Sequence, residues 1–153
     1  MFESRVTSID DMELYFLWAN DRVVRSNAFS SGLILWDDHV DWFKMKLLDD
    51  SCFMYVIEKD TEAIGQVRFD IENKKVVIGY SLDSRFRGKG YGVGVLQCAI
   101  YSVTRAMGRS FILQAQVKES NYPSLRVFQK LGFYDASYVI ERDGIITFEK
   151  PIG

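Results

Sequence analysis

A glycine-rich hexapeptide, Arg87 to Gly92, is the segment that most restricts how this 153-residue chain can fold. An extended, β-branched run from Val76 to Leu82 precedes it, and a segment with helical apolar spacing, Val93 to Met107, follows it. The first amides of a helix have no partner within the helix, and the helix dipole makes that end positive. Because glycines also let a phosphate approach the backbone closely, the order of strand, turn and helix predicts an anion site.

The glycine spacing separates this loop from two common nucleotide-binding loops. It lacks the G-x-G-x-x-G pattern of dinucleotide folds, and no acidic ribose-binding residue follows a second strand. It also departs from G-x-x-x-x-G-K-[ST], because Val93 stands at the Ser or Thr position. The alternative that needs no ligand is a tight turn whose basic face, with Arg87 and Lys89, is simply solvated.

Composition favours one globular domain over residues 1–153 that acts on a small ligand. Hydrophobic residues make up 48% of the chain and the net charge is −2, so no basic field is expected to hold a nucleic acid. Arg85, Arg87 and Lys89 form the tightest basic cluster, which suits a single phosphorylated ligand.

The rest of the composition predicts a cytoplasmic location without a metal site. The first residues carry an acid and lack an apolar run, and no stretch approaches 18 apolar residues, so we expect neither a signal peptide nor a membrane span. Cys52 and Cys98 are far apart in the sequence, and His39 is the single histidine, so neither a disulfide scaffold nor a metal cluster is expected.

Periodicity and turn residues predict the element order β-α-α-β-β-β-α-β-α-β-β. The segment from 76–82 through the third helix to 111–117 is the candidate for a parallel crossover, which predicts an α/β (α+β) fold with a mixed sheet. Ser8 is the expected cap of the first helix. A loop is predicted at Ser30-Ser31-Gly32. The predicted strands cover 2–9, 53–59, 64–72, 76–82, 111–117, 134–141 and 145–150, and the predicted helices cover 8–20, 37–49, 93–107 and 123–132, with a further helical turn over 21–26.

Two segments carry a family resemblance. Arg87-x-x-Gly90-x-Gly92 matches R/Q-x-x-G-x-G/A, and residues 121–133 resemble N-x-x-S-x-x-x-(Y/F)-x-K-x-G-F. With the element order, they resemble the GNAT acetyltransferases, which use acetyl-coenzyme A, over nearly the whole chain. The resemblance implies a GNAT fold with about seven strands and about four helices, acetyl-coenzyme A as cosubstrate and a small amine as acceptor; a homodimer stays open.

The resemblance also assigns the residues that bind the coenzyme. The loop amides would hold the pyrophosphate, and an amide near Leu82 or Ser81 would polarise the thioester carbonyl. Asn121 at a helix entry would hold a ligand amide, although Asn121 or Ser124 can instead cap that helix. The expected coenzyme-binding residues are Leu82, Arg87, Gly88, Lys89, Gly90, Tyr91, Gly92, Asn121 and Ser124.

One position departs from the family pattern. Many members carry a tyrosine where Phe128 stands, and in them that hydroxyl protonates the departing thiolate. Because a thiol with a pKa of about 8.5 is a good leaving group, the chemistry can survive without it. Tyr80 and Tyr122 are the other hydroxyl candidates, and packing is the competing interpretation for each. The catalytic candidates thus include Tyr80, together with Asn121.

The acceptor amine must lose a proton, and His39 has the only side chain with an unperturbed pKa near neutrality. It opens the second predicted helix, so it is a candidate base. The competing interpretation is a histidine that faces solvent at the start of that helix.

The N-terminal half suggests the acceptor. Trp18, Asn20 and Arg25, followed by Asp37-Asp38-His39, resemble a GNAT subgroup that acetylates the 4-amino group of nucleotide-linked sugars on the route to pseudaminic acid. Aromatic faces suit sugar and uracil rings, and a guanidinium suits phosphates. Similar patterns occur in ribosomal-protein N-terminal acetyltransferases, and a non-catalytic module that binds coenzyme A is the alternative from a different class.

Overall fold

A computed structural model describes residues 1–30, 32–138 and 142–153. Its seven strands form one sheet in the order β1-β2-β3-β4-β5-β7-β6, and α-helices pack on both faces, which confirms the mixed α/β fold. None of the described helices is long and apolar enough to span a membrane. The strands are β1 (Phe2–Val6), β2 (Cys52–Lys59), β3 (Glu62–Glu72), β4 (Lys75–Leu82), β5 (Phe111–Lys118), β6 (Tyr134–Asp135) and β7 (Ile145–Ile152), and the helices are α1 (Met12–Ala19), α2 (Arg22–Asn27), α3 (Trp36–Leu48), α4 (Tyr91–Met107) and α5 (Tyr122–Lys130).

The pairing of β4 with β5 positions the site. These strands run parallel, as the crossover through α4 predicted, whereas the other described pairs are antiparallel. Only Lys75–Val77 and Ile112–Gln114 pair, although β4 continues to Leu82 and β5 to Lys118. Beyond these three positions the strands splay apart, and their facing backbone groups have no strand partner in the described chain. We call this gap the opening.

The two faces of the sheet carry different cores. On one side, which we call the α4/α5 face, the larger core joins the sheet to those two helices. On the other side, the α1/α3 face, a smaller core packs those helices on β2. Alternation along β4 places Val76, Ile78 and Tyr80 on the α4/α5 face, and Gly79 and Ser81 on the α1/α3 face.

Some predicted bounds were wrong for local reasons. The strand predicted to reach residue 9 ends at Val6, because Ser8 caps a 3-10 turn over Ile9–Asp11 before α1 begins. The Ser8 hydroxyl accepts from the amide of Asp10, and the Asp11 carboxylate accepts from the amide of Ser8. The Ser8 cap was thus placed correctly, although it caps the short turn.

Other differences concern α2, α4 and the C-terminal hairpin. The helical turn predicted over 21–26 is α2, and α4 begins at Tyr91 rather than at residue 93. The strand predicted over 134–141 is observed only over Tyr134–Asp135; residues 139–141 lie outside the described chain, as does Ser31 of the predicted loop.

Candidate active site

The glycine loop has the backbone geometry of an anion site. A 3-10 turn over Ser84–Phe86 leads from β4 into the loop, where Gly88 and Gly90 have φ angles of 72° and 77°. Only glycine adopts these left-handed angles without strain. A Cβ atom at either position would meet no protein atom within 4 Å, so the outer side of the loop is open. The first amides of the 17-residue helix α4 follow directly and lack helical partners.

The cations around the loop have different roles. Arg87 donates to the Asp21 carboxylate at 2.7 Å and to the Leu82 carbonyl at 3.1 Å, which fastens the loop to the start of α2. Lys89 is exposed and has no hydrogen-bond or ion-pair partner among the described residues. The loop therefore has a free ammonium group at Lys89, while the guanidinium predicted to help at Arg87 is held within the fold.

Strand alternation identifies which amides face the opening. The Asp83 amide donates to the Ile64 carbonyl on β3 at 2.8 Å. Because backbone groups alternate sides along an antiparallel strand, Ser81 also faces β3, whereas Leu82 and Tyr80 face the opening. The carbonyl of Leu82 accepts from Arg87, as expected for this orientation. Between the two amides left open by the sequence, the geometry favours Leu82.

A hydroxyl pair lies beside the opening on the α4/α5 face. The Tyr80 hydroxyl is 2.8 Å from the Ser124 hydroxyl in the first turn of α5. Burial raises the pKa of Tyr80, and the hydrogen bond with Ser124 only partly opposes this, so the phenol stays protonated at neutral pH. Asn121 caps α5, since its side-chain oxygen accepts from the Ser124 amide at 3.5 Å. The side-chain nitrogen of Asn121 has no partner in the described segments, so capping leaves it available to a ligand.

Phe128 packs directly behind this hydroxyl pair. Its side chain is 2% exposed, its ring stacks on Phe148 at 5.7 Å between centroids, and Tyr80 meets it edge-on at 5.9 Å. Phe128 therefore occupies a core position. The Tyr80 phenol therefore lies next to the position where many family members carry their own tyrosine.

The prediction that His39 serves as the base is corrected by its burial. The side chain is 2% exposed, and its Nε2 is 2.8 Å from the carbonyl oxygen of Met12. The rings of Phe16 and Phe43 lie within 6 Å of the imidazole, which is therefore enclosed by aromatic side chains rather than open to an acceptor. The competing interpretation of a solvent-facing histidine is wrong for the same reason, and the residue instead ties α3 to α1.

The residues predicted to bind the acceptor make hydrogen bonds to other parts of the protein. Trp18 is 5% exposed and donates from Nε1 to Asp83 at 2.9 Å, so its ring cannot stack on a sugar. Asn20 exchanges two hydrogen bonds with the backbone of Ile34, at 2.9 and 2.7 Å. Arg25 donates from Nε to the Ala19 carbonyl at 2.7 Å. Asn20 and Arg25 thus brace the segment before α3, and their role toward a substrate remains a prediction.

Four carboxylates around the opening are already neutralised. Burial acts to raise the pKa of each, but hydrogen bonds from cationic side chains outweigh it, so the pKa of each carboxyl is lowered. They are ionised at neutral pH and poorly suited to act as bases. The pairs are Asp21 with Arg87, Asp70 with Lys46 and Arg68, Asp83 with Arg85, and Glu149 with Lys75.

Sequence analysis did not single out Gly79, which lines the opening on the α1/α3 face, or Arg68, which lies beside it on β3. They are directly opposite each other across β4 and β3, and Gly79 is exposed. The alternation of apolar and polar residues over 64–72 places Arg68 on the polar face of its strand. Nothing local in the sequence shows that this face meets the opening, because that depends on the register between the strands.

Comparison with known families supports this arrangement. Residues 5–134 match the model of the acetyltransferase (GNAT) domain. No curated protein matches the chain in sequence. The matched region contains the glycine loop, the opening and α5.

Three solved structures share the fold. A spermidine N-acetyltransferase from Vibrio cholerae, in complex with CoA and spermine, has 15% identity and a TM-score of 0.85 over 98% of this chain and 95% of its own. The N-acetyltransferase PseH from Campylobacter jejuni, in complex with acetyl coenzyme A, has 17% identity and a TM-score of 0.74 over 100% of both chains. A ribosomal L7/L12 alpha-N-protein acetyltransferase in complex with coenzyme A has 18% identity and a TM-score of 0.78 over 99% and 94%. At such identities these likenesses show the fold alone.

Proposed function

Since this chain belongs to the acetyltransferase (GNAT) family, we propose that it transfers the acetyl group of acetyl-coenzyme A to the 4-amino group of a nucleotide-linked 4-amino-4,6-dideoxy sugar. The observation that carries the acetyl transfer is the open glycine loop directly beside the gap between β4 and β5. The glycine loop thus offers amides to a diphosphate, and β4 next to it offers unpaired backbone groups to the rest of the coenzyme.

The coenzyme would lie along the α4/α5 face. The loop amides from Gly88 into the first turn of α4, with the free ammonium group of Lys89, would hold the pyrophosphate. The pantetheine arm would enter the opening and pair with the free edge of β4, as an added strand does. The Leu82 amide would then donate to the thioester oxygen, where negative charge develops during attack.

A proton donor near the sulfur would assist the departure of the coenzyme. The amine nitrogen bonds to the carbonyl carbon, the carbon–sulfur bond breaks, and the coenzyme leaves as a thiolate. Phe128 cannot donate a proton, but the protonated phenol of Tyr80 lies beside it and is hydrogen-bonded to Ser124. We assign Tyr80 as the general acid, with Ser124 as its positioning partner.

The proton on the amine has to leave by another route. His39 is closed off, and the four carboxylates around the opening are held in ion pairs. Only the fraction of the acceptor amine that is already neutral therefore reacts. After the attack, its nitrogen releases a second proton to water. The main contribution of the enzyme is to position the amine and thioester.

Charge around the opening favours an anionic acceptor over a polyamine. Asp70 and Asp83 are already neutralised by cationic neighbours, so they offer little to a polycation. A nucleotide-linked sugar carries a diphosphate and needs cations instead. The resemblance of the N-terminal half to the sugar-nucleotide subgroup supports the same acceptor.

Three acceptors compared in one assay would test this proposal. We would measure thiol release from acetyl-coenzyme A with a UDP-4-amino-4,6-dideoxy sugar, with spermine and with a peptide that has a free N-terminus. We expect kcat/KM for the sugar nucleotide to exceed the other two by at least about tenfold, or 1.4 kcal/mol. A preference for the peptide would instead support a protein N-terminal acetyltransferase. Binding of acetyl-coenzyme A without turnover of any amine would support a non-catalytic module.

A further inference from the structure

Arg68 has an unusual position on the α1/α3 face. It lies on β3 directly opposite Gly79 of β4, just past the last position at which β4 pairs with β5. Gly79 is exposed, and a Cβ atom built there would meet no atom within 4 Å. The space over β4 is therefore free at Gly79, directly across from Arg68.

The Arg68 guanidinium is held in place from two sides. Its central carbon lies 5.0 Å from the centre of the Trp42 ring, and its Nε donates to Asp70 at 2.9 Å. Lys46 of α3 donates to the other oxygen of Asp70 at 2.8 Å. A guanidinium fixed by stacking and by an ion pair loses little conformational freedom when it binds a ligand.

This fixed guanidinium still has unused hydrogen-bonding capacity and charge. Among the described residues only Nε has a partner, so the two terminal nitrogens can donate elsewhere. The side chain of Arg68 is 34% exposed. Lys46 and Arg68 bring two positive charges and Asp70 one negative charge, so the cluster has a net charge of +1.

From this geometry we propose that Arg68, seated on Trp42, forms a subsite for a phosphate of the acceptor. This inference rests on the proposed function, in which the acceptor is a nucleoside diphosphate sugar. The coenzyme would lie on the α4/α5 face, so the acceptor would reach the thioester from the α1/α3 face, where Gly79 lines the opening and Arg68 lies one strand behind it. Gly79 is three residues from Leu82, roughly 10 Å along an extended strand. One sugar ring with its glycosidic oxygen fits in this distance.

Binding of UDP to the protein tests the subsite without any turnover. Calorimetry would be done with coenzyme A at saturation, so that the glycine loop cannot bind the probe. We expect Arg68→Gln to weaken UDP binding by at least tenfold while the affinity for coenzyme A stays unchanged. Arg68→Lys should fall in between, because it keeps the charge and loses the two-pronged geometry. Trp42→Leu should weaken binding as well, because it removes the surface on which the guanidinium rests.

Arg109→Gln is the matched control. This exposed arginine precedes β5 at the end of the sheet away from the opening, so its loss should leave UDP binding unchanged. Equal UDP affinity in wild type and a folded Arg68→Gln variant would overturn the subsite and leave Arg68 only its ion pair with Asp70. If no sugar nucleotide is acetylated but UDP binding still depends on Arg68, the proposed acceptor fails and the subsite stands.

Discussion

Tyr80 is the residue whose proposed chemical role depends most on its neighbours. Its phenol is partly buried, has a raised pKa and contacts Ser124, whereas Tyr122, the other hydroxyl considered from sequence, is 66% exposed. Tyr80→Phe removes only the hydroxyl and keeps the ring on Phe128. We expect kcat to fall by roughly a hundredfold, with little change in KM for acetyl-coenzyme A, because a general acid acts in the chemical step.

Steady-state kinetics with thiol detection would measure this change, and Tyr122→Phe is the control that should keep the wild-type rate. If Tyr80→Phe retained full kcat, the thiolate would be leaving without help from this residue. That result would leave Tyr80 a packing role.

Phe128 belongs to the core rather than to the chemistry. Its ring is 2% exposed and contacts Phe148, Phe133 and Tyr80. Phe128→Ala should lower the free energy of unfolding by about 3–5 kcal/mol, because it leaves a cavity among aromatic rings. Urea denaturation would measure the loss. Leu48→Ala, at a side chain that is 84% exposed, should change stability by less than about 0.5 kcal/mol, and an equally small effect at Phe128 would contradict the packing.

At the scale of elements, the turn between β4 and α4 allows the effect of backbone strain to be measured separately from the loss of ligand binding. Gly90 at the start of α4 and Gly108 at its end have φ angles of 77° and 63°, and a Cβ atom at either meets no protein atom within 4 Å. Valine should strain the backbone similarly at both. Only Gly90→Val should also block a phosphate, so we expect the Kd for acetyl-coenzyme A to rise at least about tenfold, or 1.4 kcal/mol.

Calorimetry would compare the two variants after both are shown to be folded. Gly108→Val should lose stability but keep its affinity for the coenzyme. Unchanged affinity in Gly90→Val would mean that the loop does not contact the pyrophosphate.

At the scale of the whole molecule, the ionisable groups around the opening predict a simple pH dependence. The pKa values of Asp21, Asp70, Asp83 and Glu149 are lowered, so these carboxyls are ionised well below neutral pH, and the raised pKa of Tyr80 keeps its phenol protonated at neutral and mildly alkaline pH. Between about pH 6 and 9 only the acceptor amine changes its charge in the proposed mechanism. We expect kcat/KM for the acceptor to rise with pH and level off at the pKa of the amine.

His39→Gln provides the comparison for this profile. Because His39 is buried against the Met12 carbonyl, the variant should lose stability while the shape of its pH profile stays the same. A wild-type inflection that disappears in His39→Gln would restore histidine as the base.

The sequence by itself determined the features that depend on neighbours along the chain. The glycine loop, the cap at Ser8 and the crossover from β4 to β5 were all predicted from local residue types and spacing. Turn dihedrals, helix caps and apolar periodicity are set within a few residues, so a sequence displays them directly.

Tertiary structure decided the features that depend on residues far apart in the chain. Trp18 was expected to face a substrate, but Asp83 comes from a distant turn and holds its indole nitrogen. His39 is buried and connects α3 to α1, because it is hydrogen-bonded to the carbonyl of Met12, which lies 27 positions earlier in the sequence. Arg68 lies across from Gly79, which lines the opening, because of the register between β3 and β4. A buried polar side chain must bond to whichever group lies next to it, and its neighbours are fixed only when helices and strands pack together. The same residue types are therefore compatible with a ligand-binding site or with a contact inside the fold until the tertiary structure is known.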